Sequence, residues 1–181
     1  MKGDAYIDNT SFNQWFAGIL TNKSIVGIRT EDIVRLIHFI KTDIREVEAI
    51  SALTYGTTGS ELLHAAVFNG TIQKVCLVQP FLSFVDIALT HEYSPAFIPS
   101  TVAGAIEEYD LADLMAALCP RKVLIINPLT SDRSPAVESK VSGLLAYPID
   151  VYAHKGVEEN FMHCIEKENL SVYEQINKWL K

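Results

Sequence analysis

Two apolar runs, QKVCLVQ (73 to 79) and KVLIIN (122 to 127), leave this chain few folds to choose from. Neither alternates polar with apolar residues, so neither suits a strand with one face in water. Near-continuous Val, Ile and Leu is the pattern of a parallel strand buried on both faces. Such strands need crossover connections of a dozen or more residues, usually helical. The surrounding sequence supplies them. EAISALTY (48 to 55) reads as a strand, GSELLHAAVF (59 to 68) as a helix, and DLADLMAAL (110 to 118) as a helix capped by Asp110 and stopped near Pro120. PSTVAGAIEEY (99 to 109) is expected to be helical, as is a Pro-started segment from Ser134 to Leu145, and IDVYAH (149 to 154) is expected to be a fourth strand.

Three amphipathic segments frame this pattern. Ser11 and Gln14 form a capping box, after which Phe12, Trp15, Phe16, Ile19 and Leu20 share one helical face that must pack against something large. A second helix is expected to start at Thr30, with Glu31 and Asp32 in its first turn, and to carry Ile33, Leu36, Ile37 and Ile40 inward as far as Lys41. The last opens on a Ser171 to Glu174 capping box and sets Val172, Ile176, Trp179 and Leu180 against the sheet. Strands separated by helices, joined by right-handed crossovers, give an α/β fold: three α/β/α layers around a mostly parallel sheet of about four strands.

At 181 residues the chain suits one domain spanning 1–181, and 49% hydrophobic against 20% charged residues is the balance of a packed globular protein. The formal charge is −7 and the longest basic cluster is Arg121-Lys122, which excludes a nucleic-acid binder dependent on clustered cations. No apolar run approaches the roughly 20 residues that span a bilayer. Cys76, Cys119 and Cys164 are widely separated among apolar neighbours, the pattern of buried free thiols rather than metal ligands. No phosphate loop, dinucleotide fingerprint or ligand cluster calls for a cofactor. The first residues, Met1 to Tyr6, lack an apolar signal region, so the chain as written is expected in the cytoplasm; a secreted or periplasmic location is the expectation if it is a piece of a longer precursor.

The junction ALTYGTTGSELLHAA (52 to 66) runs from strand to helix through two glycines. A nucleophile elbow has this outline, G-x-S-x-G, because positive φ and close approach of helix to strand demand small residues. Here the frame is Gly56-Thr57-Thr58-Gly59-Ser60, with Thr58 in the nucleophile position and Ser60 replacing the last glycine. A β-branched residue in a strained turn costs about 1–3 kcal/mol. Ser60 as nucleophile fails on spacing, since Thr58 and Leu62 would flank it.

From about Phe12 onward the chain resembles the C-terminal half of an α/β-hydrolase of the acetyl xylan esterase and dienelactone hydrolase type, through this elbow, LLHAAVFNGTIQKVCLVQP, YDLADLMAALCPRKVLIINP and the closing helix. The resemblance implies a truncated α/β-hydrolase fold and the order nucleophile, acid, histidine. Thr58 would attack, His163 in ENFMHC would act as general base, and Asp132 in NPLTSDRSP would orient it. Thr130 takes the acid position if that position falls directly after NPL, and His154 is a second histidine candidate. Competing readings make Asp132 a turn residue, His163 a structural histidine and His64 a packing residue. The implied activity is a carboxylic-ester hydrolase acting on an acylated small molecule or carbohydrate, with catalysis impaired or lost because Thr58 replaces serine. The alternative is a non-catalytic binding or assembly module, including one that uses the crevice at the carboxyl ends of the strands. By this resemblance the family's first four strands, which furnish one oxyanion donor, are expected to be missing from the sequence as written. Their absence would leave the strand 48 to 55 with a bare edge, to be paired by KSIVGIR (23 to 29) or by a second copy in a homodimer.

Overall fold

In a computed structural model, residues 12–44, 47–165 and 171–181 are described. Four strands, β1 (Ile50–Tyr55), β2 (Ile72–Val78), β3 (Lys122–Ile126) and β4 (Phe161–Cys164), pair in the order β1-β2-β3-β4, every pair parallel. Around them lie α1 (Phe12–Leu20), α2 (Ile25–Asp43), α3 (Gly59–Phe68), α4 (Phe84–Leu89), α5 (Leu111–Ala117), α6 (Glu138–Leu144), α7 (Ala146–His154) and α8 (Val172–Leu180).

The strand order dictates where the helices go. When each strand is laid beside the last in one direction, right-handed crossovers deliver every connecting helix to the same face. One core therefore gathers Leu63 and Ala66 of α3, Met115 of α5, Val141 of α6 and Tyr152 of α7 over Ile72, Val75, Leu77, Val123 and Ile125 of the sheet. The opposite face holds Cys76, Val78, Leu124 and Ile126, and α8 covers it through Trp179, Val172 and Ile176. The layers are α/β/α, with the second helical layer reduced, among the described residues, to this one helix.

Sequence and structure part at several elements. IDVYAH is not a strand but the body of α7. Its Ile149, Val151 and Tyr152 carry strand propensity, yet the buried residues Val141, Leu145, Pro148 and Tyr152 recur at helical spacing, and packing overrides propensity. The fourth strand is instead FMHC, four residues that pair with Val123 to Ile126. PSTVAGAIEEY forms no α-helix, only the end of one 3-10 turn (Pro95–Ser100) and a second (Ala105–Glu107). The segment from Ser134 becomes helical only at Glu138.

Helix α2 starts at Ile25 rather than Thr30, because the Ser24 side chain caps it by accepting from the Gly27 amide at 2.8 Å. KSIVGIR therefore opens a helix and pairs with no strand. Ser11 lies outside the described residues; Phe16, Ile19 and Leu20 of α1 are exposed rather than packed. Of the three free thiols only Cys76 is buried, and burial pushes it up to about 12, while Cys119 and Cys164 are half-buried. The closing helix holds: Ser171 and Glu174 form the capping box and Trp179 is buried, although Leu180 stays exposed. Among the described residues no helix is long and apolar enough to cross a membrane, and no group of three or more His, Cys, Asp or Glu residues could hold a metal ion.

Candidate functional site

The carboxyl ends of the four strands carry the candidate residues. Beyond β1 the chain makes a 3-10 turn, Gly56–Thr58, and passes directly into α3. The left-handed residue of this turn is Gly56, with φ of +69°, which suits glycine alone of the five. Thr58 has φ −76° and ψ 2°, an ordinary conformation, so no strain is held at the nucleophile position. Its exposed hydroxyl donates to the Tyr55 carbonyl at 3.3 Å. Gly59 brings α3 against β2: a Cβ there would meet Pro80 at 3.4 Å and Leu77 at 3.6 Å, ordinary contact. Ser60 is buried, and its hydroxyl has no hydrogen-bond partner among the described residues.

The first turn of α3 faces inward. Glu61 is buried and accepts from Arg29 of α2 at 2.9 Å. Burial pushes its carboxyl up, and its own amide, Arg29 and Ser100 pull it back in part. One turn later His64 is held at both ring nitrogens, Nδ1 donating to the Ser60 carbonyl at 2.6 Å and Nε2 accepting from the Tyr109 hydroxyl at 2.8 Å. A carbonyl can only accept, so Nδ1 carries a proton, and desolvation disfavours a second one on Nε2. Burial lowers its pKa accordingly. As pH falls through about 6.5, the unfolded chain takes up the proton first, so stability is present above that pH and lost below it. We therefore expect the melting temperature of the wild type to fall between pH 7.5 and 5.5. A His64→Gln variant, less stable at pH 7.5, should show a shallower fall when both are followed by circular dichroism.

Asp132 lies in the loop after β3 and is spent within it. Its carboxylate accepts from the Thr130 hydroxyl, from the Ser134 amide at 3.1 Å and from the Ser134 hydroxyl at 3.1 Å. These bonds, the Thr130 hydroxyl foremost, hold it below the usual carboxylate range. Thr130, the other acid position, is thus a donor to Asp132. The neighbouring Ser131 ties the loop to the segment after α4, donating to the Thr90 hydroxyl at 2.7 Å.

His163 is a residue of β4 itself, level with Ile125, Leu77 and Thr54 across the sheet. Three strand spacings, about 14 Å, separate its backbone from that of Thr54. Its Nε2 donates to Glu138 at the start of α6, at 2.7 Å. Ser142 donates to the same carboxyl oxygen at 3.1 Å. A groove of about 620 Å³ beside β4 and α8 is lined by His163, Phe161, Cys164, Lys178 and Trp179, at the opposite edge of the sheet from Thr58. His154, on α7, bonds its own helix through the Asp150 carbonyl at 3.0 Å. Thr58, Asp132 and His163 thus share no hydrogen bond: each is engaged with a different neighbour.

Three residues here had no reading in the sequence. Glu138 is 25 positions from the histidine it contacts, and nothing local marks it. Gln79 and Asn127 turn left-handed, at φ 52° and 49°, directly after β2 and β3. Each precedes a proline; Asn-Pro is a turn signal, whereas nothing in Gln-Pro marks a left-handed residue, since the position before proline favours extended backbone. Comparison with protein-family models, curated proteins and solved structures found no match to this chain.

Proposed function

We infer that this chain is an α/β-hydrolase-like domain of the carboxylic-ester (acetyl xylan) esterase type whose ester hydrolysis is impaired or lost. What supports the ancestry is sequence resemblance together with order: the elbow-like turn follows β1, the acid loop follows β3, and the histidine lies on β4, in a sheet whose strands are adjacent in chain order. One observation carries the loss. A threonine nucleophile needs a base within about 2.6–3.2 Å, directly or through one water. Thr58 instead donates to the Tyr55 carbonyl, and His163, fixed within β4, donates to Glu138. The substrate class, an acylated small molecule or carbohydrate, follows from the resemblance.

Hydrolysis of p-nitrophenyl acetate tests this reading. The wild type, Thr58→Ala and Thr58→Ser are expected to run at the same slow rate, since a working nucleophile and base would separate them by about 10²–10⁴-fold. Turnover by the wild type about 10²–10⁴-fold above that of Thr58→Ala would overturn it.

A second reading, a non-catalytic assembly module, has an observation of its own in the edge of β1, which no strand pairs among the described residues. The crevice version is less well supported. Open α/β sheets bind ligands where the strand order reverses, and β1-β2-β3-β4 has no reversal.

A further inference from the structure

We propose that β1 pairs with β1 of a second copy, antiparallel about a two-fold axis at Leu53, to make one continuous eight-stranded sheet. The inference goes beyond the hydrolase reading and needs neither a nucleophile nor a base, so esterase rate and molecular mass fail independently.

The backbone sets the register. Ile50 donates to the Thr71 carbonyl at 2.8 Å, so its peptide groups face β2. Alternation turns those of Ala52 and Thr54 the same way and leaves the amides and carbonyls of Ser51, Leu53 and Tyr55 on the outer side. Among the described residues no strand pairs that side. In an antiparallel pair centred on Leu53, that residue meets its own copy, and Ser51 meets Tyr55 of the other chain at both ends. The amides and carbonyls of Ser51 and Leu53 and the amide of Tyr55 then find partners, and the Tyr55 carbonyl, which already accepts from the Thr58 hydroxyl at 3.3 Å, accepts a second bond. An edge built from these three positions complements itself, which is what a two-fold contact requires.

Side chains and charge agree with the backbone. Edge strands are ordinarily guarded by lysine, proline or a covering segment, and ISALTY has neither residue. Leu53 is 50% and Tyr55 64% exposed, on the face that α8 covers only in part. The chain carries a net charge of −7, which opposes contact between copies over most of its surface. The strip 49 to 60 contains no ionisable group except Tyr55, and in this register Glu48 falls opposite Thr58, not another acid.

The contact buries on the order of 300 Å² per chain, well under the roughly 800 Å² per partner of a stable complex. The dimer is therefore weak and concentration-dependent. In sedimentation velocity over a concentration series, the weight-average mass is expected to rise from 20.1 kDa toward twice that value. Leu53→Lys sets cation against cation at the axis and is expected to stay monomeric at every concentration with an unchanged melting curve. The Ser51→Lys/Tyr55→Glu double variant opposes a cation to an anion at both ends and keeps the dimer. Met162→Lys, on the other edge of the sheet, keeps it too.

Several results would overturn the proposal: a wild type monomeric throughout, a Leu53→Lys chain that still dimerises, or loss of the dimer in Met162→Lys with retention in Leu53→Lys. A monomer whose Leu53 amide is protected from hydrogen exchange would also overturn it, and would show that another segment covers β1.

Discussion

Replacing Arg29 by Met is expected to lower the unfolding free energy by about 2–4 kcal/mol at pH 8, most of it through a group that is not mutated. The Arg29 side chain is half exposed and loses little by leaving water. Glu61 is 1% exposed, and without Arg29 at 2.9 Å its carboxylate stays buried without a cation. Desolvation already raises the Glu61 pKa in the intact protein, and Arg29 opposes that rise. A group whose folded pKa lies above its unfolded value contributes stability below the unfolded value, about 4.5, and loses it as pH rises through the folded value. Removing Arg29 carries the folded value higher still. The deficit of the variant should accordingly be largest at pH 8 and shrink toward pH 5. Urea unfolding at the two pH values reads this directly. Adding Glu61→Gln to Arg29→Met should recover stability at pH 8, because the amide carries no charge to desolvate. A deficit that does not vary with pH would mean that Arg29 acts through the packing of its aliphatic stem instead.

Trp179→Ala is expected to cost about 3–5 kcal/mol, the usual range for truncating a buried tryptophan. The reason is topological as much as volumetric. With every crossover helix on one face, Trp179 is the large side chain that closes the other, over Cys76, Val78, Leu124 and Ile126. The loss should appear as a drop in the urea midpoint, with protection of the β2 and β3 amides weakened. Trp179→Phe should cost far less, for a specific reason: the indole N–H is buried with no hydrogen-bond partner among the described residues, so phenylalanine removes an unsatisfied donor along with some volume. An alanine variant as stable as the wild type would show that α8 contributes little to that face.

The comparison of sequence with structure divides along the length of the signals. KVLIIN and QKVCLVQ were legible because a run of β-branched residues with no polar alternation has few other uses, and both lie in the sheet centre within a residue of their expected ends. GSELLHAAVF was legible to the residue, since glycine starts it and Asn69-Gly70 follows it. IDVYAH misled because local propensity competed with a packing period that spans two helices, Val141 to Tyr152, and is visible only if α6 and α7 are read together. FMHC escaped notice because four residues hold only two periods of alternation.

The same limit governs the candidate site. The position of Thr58 on a strand-to-helix turn is written in its flanking glycines. Its relaxed backbone is not, because that depends on Gly56 taking the left-handed conformation in its place. Asp132 sits within two residues of both Thr130 and Ser134, so its role in a local turn could be weighed from the sequence. The contact of His163 with Glu138 joins two elements distant along the chain, and no spacing rule reaches that far.

The one-directional strand order also bears on how the molecule comes into being on the ribosome. Each strand after β1 joins a neighbour that has already emerged, and none must be threaded between two that are paired. Synthesis can therefore build the sheet as it proceeds, with α3 and then α4 to α7 closing one side behind it. Among the described residues the other side has no such provision. Cys76 and Val78 are finished well before Trp179, the residue that shelters them, has been translated. For the whole of that interval the nascent domain carries an oily, half-built surface on that side.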